Sequence, residues 1–198
     1  DNSAGVDTSD HEVNIKILLD DVVHSGDLTM KQRSALLHSM TDEVGGLVLQ
    51  HNYDQNMVLG NARAQATALL PGHERMIRDL ASAGELDREL EFLPSDEEIR
   101  ERLGDCVGLT SPELSVMLAY SKMTLAGAVS SDVLAADPYF QPVLNSYFPA
   151  EIVERYADRL AGHPLAPDII KTVVVNDLVN HGGISFAFRA KEETAATP

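Results

Sequence analysis

Thr110-Ser111-Pro112-Glu113-Leu114-Ser115-Val116-Met117-Leu118-Ala119-Tyr120-Ser121-Lys122-Met123-Thr124-Leu125 is the stretch whose reading decides the fold class. Thr110, with Glu113 three residues on, has the spacing of a capping box. The hydroxyl takes an orphan amide of the first helical turn, and the carboxylate reaches back to the amide of the cap. Beyond it Leu114, Val116, Met117, Leu118, Tyr120, Met123 and Leu125 are apolar nearly all round. That pattern belongs to a helix buried on several sides.

The same start signal recurs at Ser9 with Glu12, Thr29 with Gln32, and Ser95 with Glu98. After Ser9, residues Ile15, Leu18, Leu19 and Val22 fall on one helical face, and Gly26 stops the run. After Thr29, a helical pattern runs through Leu36, Leu37, Met40, Val44 and Leu47, weakened by Gly45 and Gly46. A further helix is expected from Val58 to Leu70, ending at Pro71. That proline then opens the next helix, with Met76, Ile77 and Leu80 inward. The charged stretch Glu85 to Asp96 contains Pro94 and is the expected boundary between a helical segment, 1–90, and a C-terminal helical lobe, 91–198. Pro138, Pro142, Pro149, Pro164 and Pro167 punctuate short helices. Asp168 to Asn180 reads as helix, although Thr172-Val173-Val174-Val175 also suits a strand. Ile184, Phe186 and Phe188 alternate, which leaves a short strand open. The expected fold is mainly α, a multi-helix domain in one body or two helical lobes.

Composition agrees. Hydrophobic residues make up 44% of the 198, charged residues 23% and aromatic residues 5%, with no Trp. The core must therefore be built from Leu, Val, Ile, Ala and Met, as in packed helices. The net charge of −16 repels phosphate backbones, and no Lys/Arg cluster offsets it, so nucleic acid is not an expected partner. No apolar run approaches the roughly 20 residues of a membrane span. Cys106 is the lone cysteine and no signal peptide is visible, so a reducing, cytoplasmic setting is expected.

Seven histidines raise a metal hypothesis. His11, His24, His38 and His51 stand 13 or 14 residues apart, whereas helical ligand pairs want about four, so surface or satisfied histidines are expected. Cys106 has no sequence signal of a lowered pKa or a partner histidine. No P-loop, G-x-S-x-G or G-x-G-x-x-G is present. Nothing in this chain alone would cradle a dinucleotide pyrophosphate.

The opening segment, Asp1-Asn2-Ser3-Ala4-Gly5-Val6-Asp7-Thr8-Ser9-Asp10-His11-Glu12, carries small residues and a Gly ahead of the first start signal. It resembles the end of the coenzyme domain in glutamate dehydrogenases, where Asn-Ala-Gly-Gly-Val leads through a Ser into a helix with Glu. Asn2, Gly5, Val6, Ser9 and Glu12 match without gaps, while Ser3, Ala4 and Asp10-His11 depart. Those departures are similar to the large NAD-specific branch of bacteria. So are His51-Asn52-Tyr53-Asp54-Gln55-Asn56, Glu91-Phe92-Leu93-Pro94-Ser95, Leu109-Thr110-Ser111-Pro112-Glu113-Leu114 and Tyr147-Phe148-Pro149.

The resemblance implies that Asn2 lies beside the nicotinamide ring of NAD, with Ser3, Ala4 and Gly5 lining a strand-to-helix turn. A turn-capping role for Asn2 is the alternative. Asn56-Met57-Val58-Leu59-Gly60-Asn61 resembles a later segment that returns to the substrate cleft. There Val58 would pack on the methylenes of glutamate and Asn61 would be a polar partner. Core packing for Val58 and helix capping for Asn61 remain equally open. The family's catalytic lysines, aspartate and glycine-rich loop lie upstream, so no catalytic residue is expected in this chain. The implied whole enzyme oxidises L-glutamate to 2-oxoglutarate and ammonia with NAD, as a homo-oligomer. The competing expectation is a non-catalytic helical assembly or regulatory module.

Overall fold

The computed structural model describes the backbone of residues 2–194 and the side chains of residues 5–194. It is 79% helical, with no strand among the described residues. The helices are α1 (Asn2–His24), α2 (Met30–Ser39), α3 (Thr41–Ala64), α4 (Ala66–Ser82), α5 (Asp96–Gly104) and α6 (Ser111–Ala128). They continue as α7 (Ser131–Ala136), a 3-10 turn (Pro138–Phe140), α8 (Gln141–Tyr147), α9 (Ala150–Leu160), α10 (Ala166–Gly182) and α11 (Phe186–Thr194).

Three of the four expected caps form. Thr29 with Gln32, Ser95 with Glu98 and Thr110 with Glu113 each close a reciprocal capping box. Glu113 is tied twice over. Its carboxylate takes the Thr110 amide at 2.7 Å and both terminal nitrogens of Arg102 at 2.8 and 2.9 Å. Burial works to raise its pKa, but those bonds prevail and hold it below the usual carboxylate range.

Ser9 is the exception. It lies inside α1, which already runs from Asn2, so the expected turn at Gly5 is helix. The physical reason is a polar stripe. Asp7, Asp10, His11 and Asn14 occupy i, i+3, i+4 and i+7 of one continuous helix, and each finds a partner on that face. At its far end α1 stops as expected at Gly26, whose φ of 83° suits a residue without Cβ.

Two further boundaries move. The run from Thr29 breaks at Met40, so α2 and α3 are separate helices and α3 absorbs both Gly45 and Gly46. The break expected at Pro71 falls instead at Gln65 (φ −108°, ψ 8°), and Pro71 sits within α4. The proline lies only two turns in, where it forfeits one helical bond. Leu70, Met76, Ile77 and Leu80 are all buried along the resulting face, and that burial offsets the loss. Both strand alternatives resolve to helix. Ile169, Ile170, Val175 and Val179 bury a helical face of α10, which outweighs the β preference of its Val run. Phe186 donates its amide to Gly183 O at 3.1 Å and Arg189 to Ser185 O at 2.9 Å, the entry of a helix rather than a ladder.

Packing divides the chain into two compact units: residues 1–53 with 130–174, and residues 54–129 with 175–198. Each unit thus draws on both sides of residue 90. In the first, Leu19 and Val22 of α1 meet Leu36 and Met40, with Ile152 and Leu160 of α9. In the second, Ile77 of α4 packs with Ile99 of α5, Leu114 and Met117 of α6, and Val179 of α10. The Glu85–Asp96 stretch is a loop, as read. Arg88 pins it by donating to Pro94 O and to the Asp96 carboxylate, each at 2.6 Å. No helix is long and apolar enough to cross a membrane among the described residues.

Candidate functional site

α4 presents an apolar stripe of Leu70, Met76, Ile77 and Leu80, and His73 sits in the middle of it. The imidazole is fully buried, at 0% exposure, and neither ring nitrogen has a hydrogen-bond partner. Burial, and secondly the Arg189 charge, push its pKa down to about 4. The ring is therefore neutral at ordinary pH, with one N–H donor and one acceptor nitrogen, both in use by nothing.

His73 lines a cleft of about 360 Å³ in the second unit. α3 supplies Val58, Asn61 and Ala62 to its wall, Gln65 follows at the break, and α4 adds Leu69. The lining also includes Asn180 and His181 at the end of α10, the turn from Gly182 to Ser185, and Arg189 of α11. The turn depends on Gly183, whose φ of 96° would strain any residue bearing a Cβ. Asn180 Oδ1 and Arg189 Nε are likewise buried without hydrogen-bond partners. No acidic side chain lines the cleft among the described residues.

The two substrate-side residues named from sequence, Val58 and Asn61, are thus brought into one cleft. Val58 is 2% exposed and also belongs to the apolar core of its unit, and Asn61 is exposed at the rim. His73, Asn180 and Arg189 escaped the sequence reading. For His73 a signal existed: a histidine inside the apolar face of α4. Nothing in the sequence marked Asn180 or Arg189, which meet His73 only through the fold.

Of the cofactor-side residues, the side chains of Asn2 and Ser3 lie outside the described residues. Gly5 is exposed in α1. Just beyond it stands a polar network within the first unit. Tyr147 of α8 donates to Asp10 Oδ2 at 2.6 Å and accepts from Asn14 Nδ2 at 2.9 Å. His11 stacks on the Tyr147 ring, centroids 4.2 Å apart, and His51 Nδ1 meets Asp7 Oδ2 at 2.8 Å. Burial and the hydrogen bond to Asp10 raise the Tyr147 pKa well above the usual phenol range. His163 Nδ1 accepts from the Leu165 amide, so Nε2 carries the proton and donates to Asn14 O, both at 3.1 Å. Burial lowers its pKa also.

Two predictions arise from these groups. Tyr147→Phe removes the hydroxyl between Asp10 and Asn14 and leaves both short of a partner. A loss of about 1–3 kcal/mol is expected in denaturant unfolding. An unchanged midpoint would show the network to be idle. The second concerns pH. His73 in the folded chain titrates near 4, below its ordinary 6.5. Between those values the unfolded chain holds a proton that the folded chain refuses. The stability from burying the neutral ring is complete above pH 6.5 and is lost as pH falls towards 4. Its size is on the order of 3 kcal/mol. His163 and His11 shift the same way. His73→Leu is expected to flatten the fall between pH 7 and 5, and an unchanged slope would refute the assignment.

Among the described residues, no group of three or more His, Cys, Asp or Glu is placed to hold a metal ion. Cys106 is exposed and unpaired.

Comparison with known families places this chain, which is helical throughout its described elements. The family model described as "Bacterial NAD-glutamate dehydrogenase, catalytic domain" matches residues 1–62, and the one described as "Glutamate dehydrogenase, C-terminal" matches residues 106–198. The chain belongs to the bacterial NAD-glutamate dehydrogenase family. It is 48% identical to the NAD-specific glutamate dehydrogenase of Pseudomonas aeruginosa over 98% of its length. Its identity to the protein of that name from Mycobacterium tuberculosis is 46% over the whole chain, and to that of Halomonas elongata 46% over 99%. The chain spans 12% of the length of each of these relatives.

Proposed function

We propose that this chain is the helical segment that follows the coenzyme domain in an NAD-dependent glutamate dehydrogenase. The whole enzyme oxidises L-glutamate to 2-oxoglutarate and ammonia in the cytoplasm, as a homo-oligomer. The observation that carries this is identity of 46–48% along essentially the entire chain to proteins named for that activity.

Within the full enzyme Asn2, Ser3 and Gly5 belong to the nicotinamide side, and Val58 and Asn61 to the substrate. The cofactor supplies the hydride chemistry, and these residues only bind and orient. All five fall inside the catalytic-domain match, residues 1–62, which supports the assignment. Val58 offers a methyl surface to a ligand's methylenes, and the Asn61 amide is free to donate or accept at the rim. The test is Asn61→Ala in the full-length protein. KM for 2-oxoglutarate should rise several-fold with folding intact. A wild-type KM would return Asn61 to a surface helix position.

A second reading concerns the later half. Residues 106–198 match a C-terminal family rather than the catalytic domain, which favours an assembly or regulatory lobe over residues 91–198. Hydrogen exchange with and without the preceding domain separates the two. Protection of α6 that depends on that domain marks a docking lobe.

A further inference from the structure

We propose that Arg189, from the C-terminal family segment, completes a carboxylate-binding site in the cleft lined by Val58 and Asn61. The ligand class is a small aliphatic carboxylate. The site deepens the reading of Val58 and Asn61 and rests on that reading for the ligand's identity, though not for its charge.

Arg189 is the one permanent cation on the cleft wall, and no carboxylate shares that wall among the described residues. Its Nε is buried without a hydrogen-bond partner, and no ion pair is formed by its guanidinium among the described residues, in a chain of net charge −16. An unpaired guanidinium amid so many acids marks a position that the fold keeps clear of internal carboxylates. A planar guanidinium suits a carboxylate through two parallel N–H bonds. Beside it stands His73, fully buried with both ring nitrogens unsatisfied. A neutral imidazole adds a hydrogen-bond donor to an anion without adding charge. Asn180 and Ser185 contribute further polar groups, and His181 at the rim is engaged with Asp177 at 3.0 Å.

The lining also carries aliphatic side chains: Val58, Ala62, Leu69 and Ile184. A single cation among methyl groups suits a short carbon chain that carries a carboxylate. A cofactor-sized ligand exceeds about 360 Å³. The pieces come from both matched families: Val58, Asn61 and Ala62 from the catalytic-domain match, Asn180 to Arg189 from the C-terminal match. The C-terminal segment therefore contributes a ligand-binding cation and is more than a spacer.

The test uses the full-length enzyme, with 2-oxoglutarate as probe in calorimetry and in steady-state reductive amination. Arg189→Gln should weaken 2-oxoglutarate binding and raise its KM about 10- to 100-fold, with kcat less affected. Arg189→Lys keeps the charge but loses the paired N–H fork, so it should recover only part of the loss. Asn180→Asp, close in shape, sets an internal carboxylate in the cleft to compete for Arg189. It should weaken binding likewise and keeps the test open if Arg189→Gln fails to fold. Weakening in these variants alongside a raised KM in Asn61→Ala supports both readings. Weakening with a wild-type Asn61→Ala keeps the carboxylate site and overturns the substrate reading of Val58 and Asn61. Wild-type affinity and KM in the folded Arg189 and Asn180 variants overturn the proposal, whatever Asn61→Ala shows.

Discussion

The isolated 198-residue chain is expected to produce no measurable NADH from L-glutamate and NAD. Hydride transfer needs a bound nicotinamide, and binding a dinucleotide needs a turn whose amides face the pyrophosphate. No glycine-rich fingerprint occurs in the sequence. The chain covers 12% of relatives named for the activity, and the family resemblance places the catalytic lysines and aspartate upstream of Asn2. Coupled absorbance at 340 nm on a pure sample is the measurement. A glutamate-dependent signal above the blank would show that the chain carries chemistry of its own.

In the full-length enzyme, Asn2→Ala is expected to slow hydride transfer about 5- to 150-fold, more than it lowers overall stability. The expectation rests on the match of Asn2, Gly5, Val6, Ser9 and Glu12 to the nicotinamide-side segment of glutamate dehydrogenases. An amide that holds the carboxamide decides which ring face meets the substrate. One such bond lost in a dry site costs roughly 1–3 kcal/mol, which converts to that range of rates. Pre-steady-state NADH formation and a melting curve together decide it. Wild-type turnover with wild-type KM for NAD would overturn the nicotinamide-side role of Asn2 and leave it only the start of α1.

These two expectations concern chemistry. The Tyr147 and His73 changes act on stability, where neighbouring packing shares the load. The Tyr147 network also recasts part of the opening motif. Asp7, Asp10 and His11 belong to the stretch that carries the family resemblance, yet here they bind His51 and Tyr147. Their residue types suit tethering a helix as well as facing a cofactor.

Much of the helical content was legible because its signals are local. Thr29, Ser95 and Thr110 cap through side chains three residues away, and Gly26 ends a helix by its own backbone freedom. The misplaced boundaries were those with competing signals. Ser9 satisfied the capping spacing, but a polar stripe with distant partners carried the helix through it. Pro71 was a local stop signal overruled by the buried face of α4. The alternation at Ile184, Phe186 and Phe188 held equally for a strand, and no neighbouring strand exists among the described residues to complete a ladder.

The sequence by itself determined the mainly helical class, three helix starts, the loop at Glu85–Asp96, the acidic composition and the family. Each follows from residue type and spacing within a turn or two, or from motifs read in order. Only the tertiary structure decided which elements share a core. Residues 1–53 pack with 130–174, and 54–129 with 175–198, because matching apolar faces far apart in the chain bury one another. It alone set Arg189 beside His73, 116 residues earlier in the chain. A guanidinium and an imidazole at that separation carry no shared pattern along the chain; what joins them is the folding of α3, α4, α10 and α11 around a common cleft.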